Sequence, residues 1–531
     1  MKQRKYFELI AKIGKKRIPD KEYPYTTEVL LSDMAYARIH GAAVLYHGAM
    51  EYSFLTGNKQ AIEVANANTR LVSLAAVPPT AAMETNQPTY MTDLLKAGVR
   101  GFVNVHGSDL GAFLTPKTME PMVSALMEYK RPLIMTGGGS KDGMKKIDEL
   151  AQAYPELPII MTGVIWYYGR EFWDIMTRNH NLHFEISCQH INEILERTKQ
   201  YFGIKRVLYS SSWPLKSMGA MKTMVEYADL TEEEKDLVAH GNACRLLGLS
   251  ADDFALYDDD VCELDSIAKE MDAGVPLSIP VIDPHTHLME DGAPPNDNFA
   301  FGADSKSMAE RMKRLGVDFT ITAPMQGITI DGSKGNEEIV TANSKYPGKF
   351  LGYTTCNLNY EEELGNWETY HKANPDLFVG MKPYPPYQGY SLKGEECAKW
   401  LSYANDNHWL VLVHSGCADY SEQVDAIADK YPNATFLLAH SGASFGVARA
   451  NGAIAQKHDN VLLDITYTST SRGMIEFMVK EFGADKVVYS SDTPMRDAAP
   501  QLGWVAYAKI SEEDKKKIFA GNIQKILNKQ K

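Results

Sequence analysis

The stretch VIDPHTHL (Val281–Leu288) runs apolar and then places Asp283, His285 and His287 at alternate positions. Side chains along a strand alternate between its two faces, so an extended run here points both imidazoles the same way. Comparable endings recur downstream. FVGMK closes on Lys382, WLVLVH on His414, TFLLAH on His440 and VVYSSD on Asp492. Imidazole and carboxylate together suit a divalent metal, Zn2+ first and Mn2+, Fe2+ or Co2+ as alternatives. Such an ion lowers the pKa of bound water to about 7, which makes a nucleophile available at neutral pH.

Any one of these histidines taken alone reads as a satisfied core residue, and His-x-His alone is a weak signal. The joint pattern needs elements that bring the run endings together. In the second half of the chain, strand-like runs alternate with helical patterns. Met308, Met312 and Leu315 fall on one helix face, with Gly316 as the stop. The runs WLVLVHSG and VLLDITYT have the unbroken apolar character of strands buried on both faces. Repeated βα units of this kind predict a (β/α)8 barrel, whose chemistry collects at the C-terminal strand ends. An open doubly wound sheet is the alternative.

The chain also repeats itself. KRVLYSSSWP (205–214) matches DKVVYSSDTP (485–494), and HGNACRLLG (240–248) matches AGNIQKILN (520–528) at the same offset. Upstream, PLIMTGGG (132–139) matches LVLVHSGC (410–417), and LPIIMTGVIWYYGR (157–170) matches TFLLAHSGASFGVAR (435–449). The acidic, then Gly/Pro-containing stretch 251–280 reads as a boundary. The expectation is two tandem (β/α)8 TIM-like barrels in an α/β protein: residues 1–255, a linker over 256–277, and residues 278–531.

DPHTHL, VHSG, LLAHSG and YSSDTP together resemble the amidohydrolase superfamily, in particular the amidohydrolase-related branch that contains the aminocarboxymuconate semialdehyde decarboxylase-like enzymes. The resemblance covers roughly 278–531 and reaches the first half only through the repeat. It implies one divalent metal on His285, His287, His414 and Asp492, with His440 as the acid–base residue and Asp492 also taking a proton. Lys382 has three readings: a carboxylated bridge between two metals, a substrate-carboxylate ligand, or an ion-paired structural lysine. Tyr384 and Tyr387 follow in a Pro-rich loop and are candidates for the pocket lining.

In the first half the chemical positions are replaced. Thr136 stands for His414, Met161 (or Thr162, with the gap moved by one) for His440, Ser212 for Asp492, Val103 for Lys382, and Ile10 and Lys12 for the His-x-His pair. This half is expected to lack metal chemistry. TGGGSKDG (136–143) lacks phosphate-loop spacing and reads as an altered loop, and His106 reads as structural. Arg170 and Arg449 occupy matched positions. The resemblance implies an arginine that can cross a dimer interface, so the chain is expected to be a fused pseudo-dimer in which Arg170 or Arg449 binds a substrate carboxylate; a plain salt bridge is the other reading.

The bulk composition narrows the class. The chain has 531 residues, 44% of them hydrophobic and 23% charged, as in ordinary globular proteins. A net charge of −13 disfavours nucleic acid and anionic membranes as partners. The basic N-terminus carries no cleavage site, and the six cysteines form no framework, so the expectation is a cytoplasmic protein with reduced thiols. Three functions remain open. The first is a metal-dependent hydrolase of a small, carboxylate-bearing substrate. The second is a non-oxidative decarboxylase of a small unsaturated or aromatic acid. The third is a non-catalytic binding or assembly protein.

Overall fold

A computed structural model describes residues 4–18, 24–105, 114–258, 261–290, 300–415, 418–467 and 469–530. His106 and Cys417 lie outside them. The chain forms two compact units, Met1–Leu264 and Asp265–Lys531. Among the described residues no helix is long and apolar enough to cross a membrane. The described cysteines are free thiols.

The first unit carries β1 (Phe7–Ile13), β2 (Gly41–Tyr46), β3 (Leu71–Ser73), β4 (Ala75–Ala76), β5 (Phe102–Val105), β6 (Leu133–Thr136), β7 (Ile159–Thr162), β8 (Leu182–Glu185) and β9 (Val207–Leu208). They pair in parallel and in chain order, as one sheet of β1–β3 and another of β4–β9. Only Leu74 separates β3 from β4. Its N–H donates to Val44 O, whereas the next N–H, of Ala75, donates to Gly101 O. The chain thus passes from one strand neighbour to the next within a single strand position. Beyond β9, Trp213 O accepts from Lys12 N–H on β1.

The second unit carries β10 (Ile282–Thr286), β11 (Phe319–Thr322), β12 (Phe350–Thr354), β13 (Phe378–Met381), β14 (Leu410–His414), β15 (Thr435–Ala439), β16 (Val461–Asp464) and β17 (Val487–Val488). All eight lie in one parallel sheet in chain order. The sheet curls until its first strand meets the chain leaving its last. His287 N–H donates to Thr493 O, Asp492 N–H donates to His285 O, and Thr286 bridges Thr493. Leu410, Leu412, Leu437, Ile321 and Val488 pack in one core with Ile523 and Leu527 of the helix Asn522–Leu527. Burial on both faces explains the unbroken apolar runs. The predicted helix face is found on Ser305–Leu315, where Met308, Met312 and Leu315 are buried and Gly316 ends the helix at φ 81°.

The two units rely on the same internal braces. Asn58 pairs reciprocally with the backbone of Ala76, as Asn336 does with Thr355. Asn181 donates to the carbonyls of Ala151, Tyr154 and Leu157, and Asn460 to those of Ala428, Tyr431 and Ala434. Asn242 caps Ile204 O and Val207 O, and Asn522 caps Ala484 O and Val487 O. Each final helix is preceded by one π-helical turn, Leu237–Gly241 or Lys517–Gly521. Buried loop carbonyls must find donors, and asparagine reaches two or three at once.

Candidate metal centre

β10 ends by presenting His285 and His287 on one side. Each ring is oriented through Nδ1. His285 Nδ1 lies 2.6 Å from Asp464 Oδ2, and His287 Nδ1 donates to Ala323 O at 2.9 Å. Both Nε2 atoms therefore face Asp492, whose Oδ1 lies 3.6 Å from that of His285 and 3.2 Å from that of His287. The three ligand atoms lie within 4.8 Å of one another, and all three residues are buried. His285 Nε2 has no hydrogen-bond partner among the described residues. An orphaned, buried nitrogen beside a carboxylate fits a metal-ligating imidazole.

His414, at the end of β14, lies outside that trio. Its ring is 4.8 Å from that of His440, and its Nδ1 is 3.4 Å from the Tyr384 hydroxyl. His440 follows β15 at φ 63°, and Asp492 follows β17 at φ 62°. Left-handed backbone is uncommon for residues other than glycine and collects at functional sites. Here it turns the chain where each strand ends. Thr466 Oγ1 lies 2.9 Å from His440 Nδ1 and fixes that ring, which is itself 5.3 Å from His285.

Burial dominates the electrostatics. It pushes the His440 imidazole down to about 4 and holds His285 and His414 below the usual histidine range, so the rings are neutral and fit to ligate. Burial alone would raise Asp492, but its setting against His287, His285 and His440 holds it well below the usual carboxylate range. Lys382 is 1% exposed, and its Nζ lacks a hydrogen-bond partner among the described residues and sits 5.5 Å from the Tyr384 ring. Burial pushes it down to about 8, against the pull of Asp492 and Asp464.

The structure brings together His285, His287, His414, His440, Asp492, Lys382 and Tyr384. The Tyr387 ring lies 4.6 Å from that of Tyr384, tilted by 49°, and Tyr387 is 42% exposed. Arg449 sits exposed on the helix Phe445–Lys457, its guanidinium 5.2 Å from the Phe477 ring. Arg170 is exposed on the helix Gly169–Arg178 of the first unit. Within the second unit, Arg449 is not placed among the histidines.

Three contributors received no role from the sequence, although Asp283 stands in the opening motif. Asp464 ends β16 fully buried, bonded to His285, Ser490 and the N–H of Thr466. Its signal was a lone acid closing the apolar run VLLD. Asp283, pushed up to about 7 by burial, accepts N–H bonds from His285 and Ser491 and so ties β10 to the segment bearing Asp492. Arg496 is a buried cation whose charge is felt by Asp492.

One residue match needs correction. Ile159 N–H donates to Asn181 O as Phe436 N–H does to Asn460 O, which aligns Gly163 (φ 67°) with His440 (φ 63°), not Met161 or Thr162. The TGGG run has a packing cause. A Cβ on Gly143 would lie 2.2 Å from Gly137 O, so the loop and the following helix meet backbone to backbone.

The amidohydrolase family model matches residues 11–249 and again 282–529. The chain belongs to the amidohydrolase family. No curated protein matches its sequence. Among solved structures it is similar to 2,6-dihydroxybenzoate decarboxylase from Rhizobium, at 13% identity, covering 48% of this chain and 100% of that one, with a TM-score of 0.38. It is similar to a manganese complex of 5-carboxyvanillate decarboxylase from Novosphingobium aromaticivorans, at 16% identity, 47% and 96% coverage and a TM-score of 0.37. A third is 4-oxalomesaconate hydratase from Rhodopseudomonas palustris, at 15% identity, 47% and 95% coverage and a TM-score of 0.37.

Proposed function

We propose that the second unit is a metal-dependent hydrolase acting on a small, carboxylate-bearing substrate, and that the first unit is a second, duplicated barrel without this metal chemistry. The observation that carries the reading is the orphaned Nε2 of buried His285, facing Asp492 beside His287. His285, His287 and Asp492 would hold the metal, zinc in the first instance, with His414 as the further ligand. A divalent ion held there polarises a substrate oxygen and acidifies water.

The residues do the remainder. Asp464 keeps the His285 proton on Nδ1, so Nε2 offers its lone pair. Thr466 does the orienting for His440, whose Nε2 is then free to exchange a proton with water or substrate. Lys382 and Arg496, both buried and both sensed by Asp492, hold the substrate carboxylate. Tyr384 shields the centre from bulk water beside His414.

Those two buried cations also favour a second reading, non-oxidative decarboxylation of a small unsaturated or aromatic acid. The experiment that separates the two is turnover by the metal-reconstituted protein on lactones and on aromatic carboxylic acids. Acid release should be followed in a pH-stat and carbon dioxide by a coupled assay. Lactone opening without carbon dioxide supports hydrolysis, and carbon dioxide release supports decarboxylation. Neither, from protein that holds its metal, would sink both.

A further inference from the structure

Tyr467 follows β16 on a backbone that is held on both sides of its Cα. The N–H of Thr466 donates to Asp464 Oδ1 at 2.8 Å, and the Thr466 hydroxyl meets His440 Nδ1 at 2.9 Å. The carbonyl of Tyr467 accepts from the Nε2 of fully buried Gln501 at 2.7 Å. Farther on, the Ser469 hydroxyl donates to Ala443 O at 2.8 Å. These bonds set the direction in which the Tyr467 side chain leaves the strand end.

The ring meets two groups of the candidate centre. Its centroid is 5.9 Å from that of the His440 ring, the two planes at 70°, and 5.9 Å from the guanidinium carbon of Arg496. His440 is 5% exposed and Arg496 3%, whereas Tyr467 is 37% exposed. The tyrosine thus stands on the solvent side of both. A single aromatic at a surface needs no explanation of its own. What marks this one is the pair it touches: an imidazole placed to exchange a proton and a buried guanidinium, which an aromatic ring attracts.

The first unit has no ring at this place. Ser187 N–H donates to Glu185 Oε2 at 2.6 Å as Thr466 N–H donates to Asp464, which puts Cys188 where Tyr467 stands. Both units keep the turn, and only the unit with the histidines carries the tyrosine there, so the turn itself does not call for an aromatic. A broad, partly apolar cover serves a different need. The bond between a guanidinium and a carboxylate strengthens as water is kept away from it.

We propose that Tyr467 is a substrate-binding residue, the outer wall of the carboxylate site in the second unit. Its ring packs against the part of the substrate that Arg496 grips and closes His440 off from bulk water. The ring does this work, and the phenolic hydroxyl is not required for it. The inference rests on the reading of the second unit as a site for a carboxylate-bearing substrate.

The test reads binding and access without turnover, on the full chain with its metal content measured alongside. Benzoate is the probe for calorimetric titration, and diethyl pyrocarbonate labels histidines. His440 is the only histidine between Lys430 and Arg449, so one tryptic peptide reports it, and His371 between Lys349 and Lys372 serves as the reference. Benzoate should bind the wild type and slow the labelling of His440. In Tyr467→Ala, His440 should label at least fivefold faster with His371 unchanged, and benzoate should bind at least tenfold more weakly. Tyr467→Phe should match the wild type on both counts, which separates a ring contact from a hydroxyl bond. No benzoate binding to the wild type, equal labelling of His440 in wild type and Tyr467→Ala, or weakened binding in Tyr467→Phe would each overturn the proposal. The expected changes in protein that holds no metal would keep the wall and sink the metal reading instead.

Discussion

His285 Nδ1 and Asp464 Oδ2 lie 2.6 Å apart, both fully buried, on the first and seventh strands of the curled sheet. This pair sets the tautomer of a candidate ligating ring. Asp464→Asn keeps the shape but lets an amide N–H face Nδ1, which forces the proton onto Nε2. Metal affinity should fall by about 10- to 100-fold. Competition with a chromogenic chelator reads this directly, and an unchanged affinity would remove Asp464 from the centre.

Elemental analysis of protein purified without chelators should give one divalent ion per chain, lost in His285→Ala/His287→Ala. Two ions per chain would revive the bridging role for Lys382. Because a ligand bound only to the native state stabilises it, chelation should lower the melting temperature of the wild type and leave the double variant unmoved.

Thr466→Val frees His440 to rotate. The expected result is a fall in kcat of about tenfold or more, in line with the worth of a positioned acid–base group, with metal content intact. A loss of metal instead would make Thr466 part of the ligand scaffold.

Glu8 supplies a pH signature. Burial pushes its carboxyl up to about 7, from an ordinary value of 4.5. A raised carboxyl keeps its proton in the folded state after the unfolded state has lost it, so stability falls as pH rises from about 4.5 to 7 and stays lower above. The full shift corresponds to roughly 3 kcal/mol. Glu8→Gln should raise the melting transition of the first unit at pH 8 and leave it nearly unchanged at pH 4.5. An equal effect at both values would contradict the assigned protonation.

Asn522→Ala strips two buried carbonyls of a side-chain donor at 2.8 Å each, the only one they have among the described residues. A loss of about 2 kcal/mol or more in denaturant unfolding is expected. Asn242→Ala should do the same in the first unit.

Much of the centre was legible because rare residue types stand where apolar runs stop. A histidine or acid at such a place is hard to explain as packing, and five of them in one half narrow the chemistry at once. Asp464 was harder, because VLLDITYT reads as one buried strand and its acid works through another residue. Arg496 lies beyond a turn after its strand, outside the period-two pattern that flagged the others. The match of His440 to Met161 failed because letters were compared where the kept property is a left-handed backbone, visible only in the φ angles of His440 and Gly163. Arg170 and Arg449 match by letter on exposed helix positions, each in its own unit.

Ser212, at φ 51°, keeps the backbone geometry of Asp492 without its carboxylate, and Lys12 keeps the hydrogen bond of His287 without its ring. Glu185 still waits at the place from which Asp464 steers His285. The first unit thus has the mould without the casting. Ile10→His, Lys12→His, Thr136→His and Ser212→Asp would set four ligands on strand ends already shaped for them. Such a unit is a short mutational walk from a second candidate metal site.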